Sequence, residues 1–123
     1  MATELTTRIE HKVIGEQKYA LITLTGQIDE SNLGTLGEAA DPLVGSDAKY
    51  LVLDLAGLEF INSKVIGYLA ATHGKLTEAE QVMLFANANQ NILDIIELVG
   101  LTQIVPTFEK LSEAEAAIDS GEV

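Results

Sequence analysis

The segment from Leu51 to Gly67 reads LVLDLAGLEFINSKVIG and combines a strand pattern with the start of a helix. Its first residues are apolar apart from Asp54, which is typical of a strand covered on both faces of a sheet. A short loop then leads to Asn62 and Ser63, and a helical pattern follows. The segment therefore predicts a strand, a turn and a helix in succession, with a serine where the helix begins.

The predicted turn is a place where the fold would tolerate a phosphate. The first backbone N–H groups of a helix lack partners within it, and the helix dipole favours negative charge there. A phosphoryl group on Ser63 would therefore not disturb the core. The alternative role for Ser63 is that of an N-cap, which is the commoner role of a serine before a helix and contributes about 1 kcal/mol.

Composition narrows the class of protein. The chain has 123 residues, of which 47% are hydrophobic, and this suits one domain with a substantial core. Cysteine is absent, which excludes disulfides, thiolate metal sites and cysteine catalysis. The formal net charge is −12, from 19 acidic and 7 basic residues. This charge disfavours nucleic acid and anionic membranes as partners and favours a protein with a basic face.

The sequence carries no signal of a membrane span, a metal site or a catalytic centre. No apolar run approaches the ~20 residues of a spanning helix, and the N-terminal MATELTTRIEHK is unlike a signal peptide. His11 and His73 are not at a metal-ligand spacing. Gly74-Lys75 lacks the upstream glycine of a phosphate-binding loop. We therefore expect a cytoplasmic protein without membrane insertion, cofactor, metal or catalytic residues.

The hydropathy pattern predicts an opening hairpin that turns near Gly15, followed by alternating helices and strands. The predicted strands cover 4–9, 19–25, 49–55, 81–86 and 104–108, the last an edge strand because Pro106 interrupts it. The predicted helices cover 31–44 with Ser31 as N-cap, 64–78, a segment from Asn89 or Gln90 to Val99 closed by Gly100, and 112–118. This order indicates a single α/β domain with a mixed, mostly parallel sheet of about five strands and about four helices. Its core should span about residues 4–118, with 119–123 frayed.

Five separated segments together resemble the STAS family, and in particular the bacterial anti-sigma factor antagonists. They are GQID at 26–29, LVLDLAGLEFINS at 51–63, KVIGYL at 64–69, NILDIIELVGL at 91–101 and TFEKLSEAEAAI at 107–118. The resemblance covers essentially the whole chain and implies a STAS-like α/β domain. It also implies a non-enzymatic regulator of transcription that works by partner switching. Such a protein captures an anti-sigma factor that is also a serine kinase, of the ATP-binding histidine-kinase-like type, and so frees a sigma factor.

The resemblance assigns the regulatory switch to the turn after the third strand. Family members carry Asp-Ser-Ser-Gly or a close variant there, and the second serine is phosphorylated. This chain has Asn62, Ser63, Lys64 and Val65 instead, so a lysine occupies the acceptor position. Lysine can neither accept phosphate from a serine kinase nor imitate phosphoserine, because its charge is opposite.

Two interpretations of this departure remain open. In the first, Ser63 is the acceptor one position earlier. In the second, the protein is not phosphoregulated at this turn and acts as a constitutive binder or an assembly subunit. The second is favoured, because a shift of one residue turns a helical side chain by about 100°. The competing function is therefore that of a non-phosphorylated STAS assembly or transport-complex subunit.

The candidate site follows from the resemblance. The expected partner-binding residues are Asp29, Asn62, Ser63, Lys64, Val65 and Gly67, with Ser63 as the candidate phosphorylation site. The expected partner is the kinase-type anti-sigma factor, with other STAS proteins or a phosphatase as further partners. Asp29 has an alternative role in turn chemistry. Asp54 lies within an apolar strand and is expected to brace the following loop.

Overall fold

The computed structural model describes residues 4–123, in which an opening hairpin is followed by alternating helices and strands. The strands are β1 (Leu5–Ile14), β2 (Gln17–Gln27), β3 (Tyr50–Phe60), β4 (Val82–Ala86) and β5 (Thr107–Phe108). The helices are α1 (Leu33–Ala40), α2 (Ser63–Glu78), α3 (Gln90–Leu98) and α4 (Leu111–Ser120). Short 3-10 turns follow α1 at Asp41–Leu43 and α3 at Leu101–Gln103. The predicted single α/β domain is confirmed.

The strands form one mixed sheet in the order β1-β2-β3-β4-β5. β1 runs antiparallel to β2, and every other pair of neighbours is parallel. A parallel pair needs a crossover connection, and α1, α2 and α3 provide the crossovers between β2 and β5. The sheet therefore ends in β5 on one side, where an edge strand was predicted, and in β1 on the other.

Both faces of the sheet are covered. Helices α1, α2 and α3 pack with one face, and α4 packs with the other. Successive side chains of a strand point to opposite faces, so Leu51 and Leu53 of β3 join the first core while Tyr50 and Val52 join the second. This double burial is the physical reason for the apolar run that marks β3 in the sequence.

Four strands differ from their predicted bounds by more than one residue. β2 gains two residues at each end and runs from Gln17 to Gln27. β1 continues to Ile14, because Gly15 adopts a φ of +58° and closes a tight hairpin there. β3 continues to Phe60, because it goes on pairing with β2 beyond a register shift. β5 is shorter than predicted, because the N–H groups of Ile104 and Val105 bond back to the carbonyl oxygen of Leu101 and Pro106 has no N–H to donate.

The ends of two helices were also predicted incorrectly. The first helix begins at Leu33 rather than after a Ser31 cap, since Asn32 occupies the cap position. It ends at Ala40, because Pro42 lacks the N–H that would continue the helical hydrogen bonds. At the other end of the chain, α4 extends through Ser120, into the stretch expected to fray.

No helix within residues 4–123 is both long and apolar enough to cross a membrane.

Candidate functional site

The residues singled out in the sequence meet where β2 and β3 end side by side. Gln27 at the end of β2 is paired with Phe60 at the end of β3. The backbone N–H of Ile28 donates to the carbonyl oxygen of Phe60 at 3.1 Å. This pairing places the turn that follows β2 next to the first turn of α2.

The turn after β2 is held by its own side chains. The backbone N–H of Asp29 donates to Oδ1 of Asn32 at 3.0 Å, and Nδ2 of Asn32 donates to the carbonyl oxygen of Gln27 at 3.0 Å. The carboxylate of Asp29 accepts from the backbone N–H of Ser31 at 2.8 Å and from its hydroxyl. The turn role considered for Asp29 is thus confirmed, and Ser31 serves this turn instead of capping α1.

Asn62 connects that turn to α2. Its backbone is extended, with φ −120° and ψ −179°, and its Oδ1 accepts from the backbone N–H of Val65 at 3.1 Å. Asn62 is therefore the N-cap of the helix, and the cap role considered for Ser63 is wrong by one residue. On its other side, Nδ2 of Asn62 donates to the carboxylate of Glu30.

Ser63 and Lys64 are the first two residues of α2, and both are exposed. Neither side chain has a hydrogen-bond or ion-pair partner among residues 4–123. Gly67 lies one turn further on and is also exposed, on the same side of the helix as Ser63. A free hydroxyl and a free ammonium group thus stand together at the positive end of a helix.

Val65 has a different position from the other candidate residues. Its side chain is only 1% exposed and belongs to the core formed by α1, α2 and α3. Val65 thus packs the first turn of α2 against the core, while the neighbouring residues Ser63 and Lys64 face solvent.

Two residues of this surface, Phe60 and Glu30, were not predicted from the sequence. Phe60 is 45% exposed at the end of β3, directly before the α2 turn. Glu30 is exposed and accepts the hydrogen bond from Asn62. The extension of β3 to Phe60 follows a register shift against β2 and leaves no local signal, and no local pattern pairs Glu30 with a residue 32 positions away.

An open groove runs beside the site between α1 and α2. Tyr68, which lies one helical turn beyond Lys64, donates its phenolic hydrogen to the carboxylate of Asp41 at 2.6 Å. Partial burial and this hydrogen bond raise the pKa of Tyr68 to about 12. The carboxylates of Asp41 and Glu38 make the groove acidic.

Asp54 lies away from this surface and performs the bracing role predicted for it. Its Oδ1 accepts from the backbone N–H of Ala56 at 3.0 Å and from Nδ2 of Asn87 at 3.2 Å. Asn87 in turn accepts from the backbone N–H of Leu111 at 3.1 Å, at the start of α4. Asp54 therefore ties the end of the central parallel strands to the helix on the opposite face.

Residues 4–123 contain no group of three or more histidine, aspartate or glutamate side chains arranged to hold a metal ion. The candidate surface offers hydrogen-bonding groups, one cation and an aromatic ring, all of them exposed except the half-buried Asp29 and Asn62. This chemistry suits recognition of another molecule.

Comparison with known proteins agrees with the fold. The chain is 28% identical over 104 residues to the anti-sigma-F factor antagonist RsfB of Mycobacterium tuberculosis, which covers 85% of this chain and 84% of RsfB. The crystal structure of an anti-sigma factor antagonist from Mycobacterium paratuberculosis superposes with a TM-score of 0.76 at 27% identity and 93% coverage of both chains. The anti-sigma factor antagonist SpoIIAA in its unphosphorylated form shares the fold, with a TM-score of 0.70 at 14% identity and coverage of 94% and 99%. A family model for the STAS domain matches residues 8–114. The chain therefore belongs to the STAS domain family.

Proposed function

We propose that this protein is an anti-sigma factor antagonist that acts by partner switching. In this role it binds an anti-sigma factor of the ATP-binding histidine-kinase-like type, which is also a serine kinase, and so releases a sigma factor. The protein is then a cytoplasmic binding module without catalytic activity of its own. The observation that carries the proposal is the likeness to two mycobacterial anti-sigma factor antagonists, at 27% and 28% identity over most of the chain.

The proposed recognition surface consists of the exposed and half-buried groups around the first turn of α2. Its members are Asp29, Glu30, Phe60, Asn62, Ser63, Lys64 and Gly67, with Val65 as the support beneath them. The exposed Phe60 ring supplies apolar area, which is the usual anchor of a protein interface. The ammonium group of Lys64 supplies a charge that a partner can neutralise with a carboxylate. The acidic remainder of the chain fits a partner whose surrounding surface is basic.

The proposal has two versions, which differ in whether Ser63 is phosphorylated. A phosphoryl group on Ser63 would sit at the positive end of α2 and add about −1.5 to −2 charges to the surface. The hydroxyl is exposed and has no partner among residues 4–123, which supports its accessibility to a kinase. Lys64 nevertheless fills the acceptor position that the family resemblance assigns, which supports a constitutive binder. We favour the constitutive version.

A second function is supported by the same lysine. A STAS subunit of a larger assembly or of a transport complex does not require a phosphorylated serine. A lysine at the acceptor position is therefore compatible with this function. The partners in this case are other STAS proteins rather than a kinase.

Capture of partners from native-host lysate distinguishes these functions. The tagged wild-type protein, Lys64→Ser and Ser63→Ala are compared, and the retained proteins are identified by mass spectrometry. Recovery of an ATP-binding serine kinase with wild type supports the antagonist role. Recovery only of other STAS proteins or membrane proteins supports the assembly role and contradicts the antagonist role.

The two variants then separate the versions of the switch. In the constitutive version, wild type and Ser63→Ala retain the kinase equally, and Lys64→Ser becomes a substrate for phosphorylation at residue 64. In the phosphorylated version, incubation with the kinase and ATP places a phosphate on Ser63 of the wild type. Mass spectrometry of the tryptic peptides shows which residue carries it.

A further inference from the structure

β1 is a long edge strand of the sheet. It spans ten residues from Leu5 to Ile14, and its pairing with β2 continues without a register shift from end to end. Among residues 4–123 it pairs with β2 alone. A long, regular edge strand presents a row of backbone groups to any strand of matching pattern.

The register shows which backbone groups face the free edge. The N–H of Gln27 donates to the carbonyl oxygen of Glu4 at 2.9 Å, in line with the pairing of Leu5 with Gly26. Residues of an antiparallel strand alternate between bonding to the neighbour and pointing away from it. The even-numbered residues of β1 therefore bond to β2, and the odd-numbered residues direct their N–H and C=O groups outward. Those residues are Leu5, Thr7, Ile9, His11 and Val13.

The side chains of β1 form two rows of different character. The odd-numbered row lies on the sheet face covered by α1, α2 and α3, because Ile9 is opposite Ile22 of that core. In this row Ile9 is 41% exposed and Val13 is 66% exposed. The even-numbered row lies on the α4 face, since Glu10 is opposite Leu21 of the second core. It carries alternating charges on Arg8, Glu10 and Lys12.

Charge restricts the registers in which the β1 strands of two copies can pair. When the β1 strands of two copies pair antiparallel, each residue whose backbone N–H and C=O groups face the free edge must lie opposite another such residue. If the two-fold axis passes through Glu10, that residue opposes its own copy and Arg8 opposes Lys12, so like charges meet. If the axis passes through Ile9, Arg8 of each copy lies opposite Glu10 of the other, and Leu5 lies opposite Val13. Opposite charges across a strand pair stabilise it and like charges destabilise it.

An axis through His11 also avoids like charges, with Glu10 opposite Lys12. With the axis through His11, only residues 8–14 are paired. With the axis through Ile9, residues 5–13 are paired, and the two Ile9 side chains are buried against each other at the centre. Within one chain Arg8 and Glu10 already form an ion pair at 3.6 Å. With the axis through Ile9, each Arg8 therefore has one glutamate beside it in its own chain and a second glutamate opposite it in the other copy.

We propose that two copies of this chain associate through antiparallel pairing of their β1 edges, with Ile9 at the two-fold axis and Arg8 facing Glu10 of the other copy. The two five-stranded sheets then form one continuous sheet. The recognition surface proposed above lies around the start of α2 and does not include β1, so this inference stands or falls independently of it.

The test is a charge exchange at the β1 edge, followed by sedimentation equilibrium at about 0.15 M salt, which screens the net charge of the chains. Wild type is examined from about 10 µM to 1 mM, the range suited to a weak interface. Arg8→Glu and Glu10→Arg are each expected to weaken self-association at least about tenfold, because each places like charges opposite one another. An equimolar mixture of the two variants is expected to associate as strongly as wild type, because every opposed pair then has opposite signs.

The controls separate this interface from others. Leu98→Lys replaces an 87% exposed residue at the end of α3 and should leave association unchanged. Arg8→Glu also tests the register, because Arg8 opposes no charge when the axis passes through His11. Thermal unfolding by circular dichroism establishes that each variant is folded. The proposal is overturned if wild type remains monomeric at the highest concentration, if Arg8→Glu associates like wild type, or if the folded variants fail to associate when mixed.

Discussion

At the scale of single residues, the start of α2 shows both the reach and the limit of sequence pattern. The pattern placed a helix start with a polar cap after β3, and the structure confirms it. It assigned the cap to Ser63, whereas Asn62 accepts the N–H of Val65. Serine and asparagine are about equally good caps, so composition alone does not distinguish two adjacent candidates.

The cap assignment makes a direct prediction for stability. Asn62→Ala should lower the free energy of unfolding by about 1 kcal/mol, because the N–H of Val65 loses its acceptor. Ser63→Ala is the matched control and should change it by less than about 0.5 kcal/mol, because its exposed hydroxyl has no partner among residues 4–123. Urea unfolding followed by circular dichroism measures both. A larger loss from Ser63→Ala than from Asn62→Ala would contradict the assignment.

At the scale of elements, strand and helix types were predictable and their connections were not. Apolar runs marked β3 and β4 because both faces of these strands are buried. The extension of β3 to Phe60 depends on a register shift against β2. Such a shift depends on contacts between distant segments, so it leaves no local signal.

Gln81 stabilises the connection between α1 and β3. Its buried amide donates to the carbonyl oxygens of Leu43 and Ala48, at 2.8 and 2.7 Å, and accepts from the N–H of Gly45 at 2.7 Å. Gln81→Ala should lower the free energy of unfolding by about 2–3 kcal/mol, because backbone groups in the turn lose their partners. Gln103→Ala, at an exposed position, should change it by less than about 0.5 kcal/mol. Equal effects of the two substitutions in urea unfolding would show that the turn does not depend on Gln81.

The hydrogen bond between α2 and the end of α1 predicts a pH dependence. Burial first, and then the bond to Asp41, raise the pKa of Tyr68 to about 12, whereas a tyrosine in an unfolded chain has a pKa of about 10. The folded protein thus holds this proton more tightly. The resulting stability is present below pH 10 and is lost as the pH rises toward 12. Because Tyr68 is partly exposed, the loss should be only about 1 kcal/mol.

Comparison with Tyr68→Phe isolates this contribution. The variant lacks the phenol but retains the other titrating groups. The difference in unfolding free energy between wild type and variant should shrink by about 1 kcal/mol between pH values of about 9 and 11.5. A difference that stays constant over this range would show that Tyr68 titrates alike in the folded and unfolded states.

At the scale of the whole molecule, the order of elements was sufficient to predict the sheet, because alternating helices and strands imply parallel neighbours. The assignment of α4 alone to one face was not predictable. It depends on contacts such as that between the phenol of Tyr19 and the carboxylate of Glu115, which are 96 residues apart. Burial first, and then this hydrogen bond, raise the pKa of Tyr19. The candidate surface was predicted from the resemblance, which named Asp29, residues 62–65 and Gly67 but neither Phe60 nor Glu30.

The measurement that tests the central claim most directly is displacement of a sigma factor from its kinase-type anti-sigma factor. The purified complex from the native host is labelled on the sigma factor, and its release on addition of this protein is followed by fluorescence anisotropy. The account predicts release that rises with concentration and that weakens at least about tenfold with Lys64→Glu, which reverses the charge on the recognition surface. Lys75→Glu, an exposed position in the last turn of the same helix, is the matched control and should release the sigma factor as wild type does. If no kinase-type complex from the host releases its sigma factor, or if both lysine variants behave alike, the proposed function or its surface is contradicted.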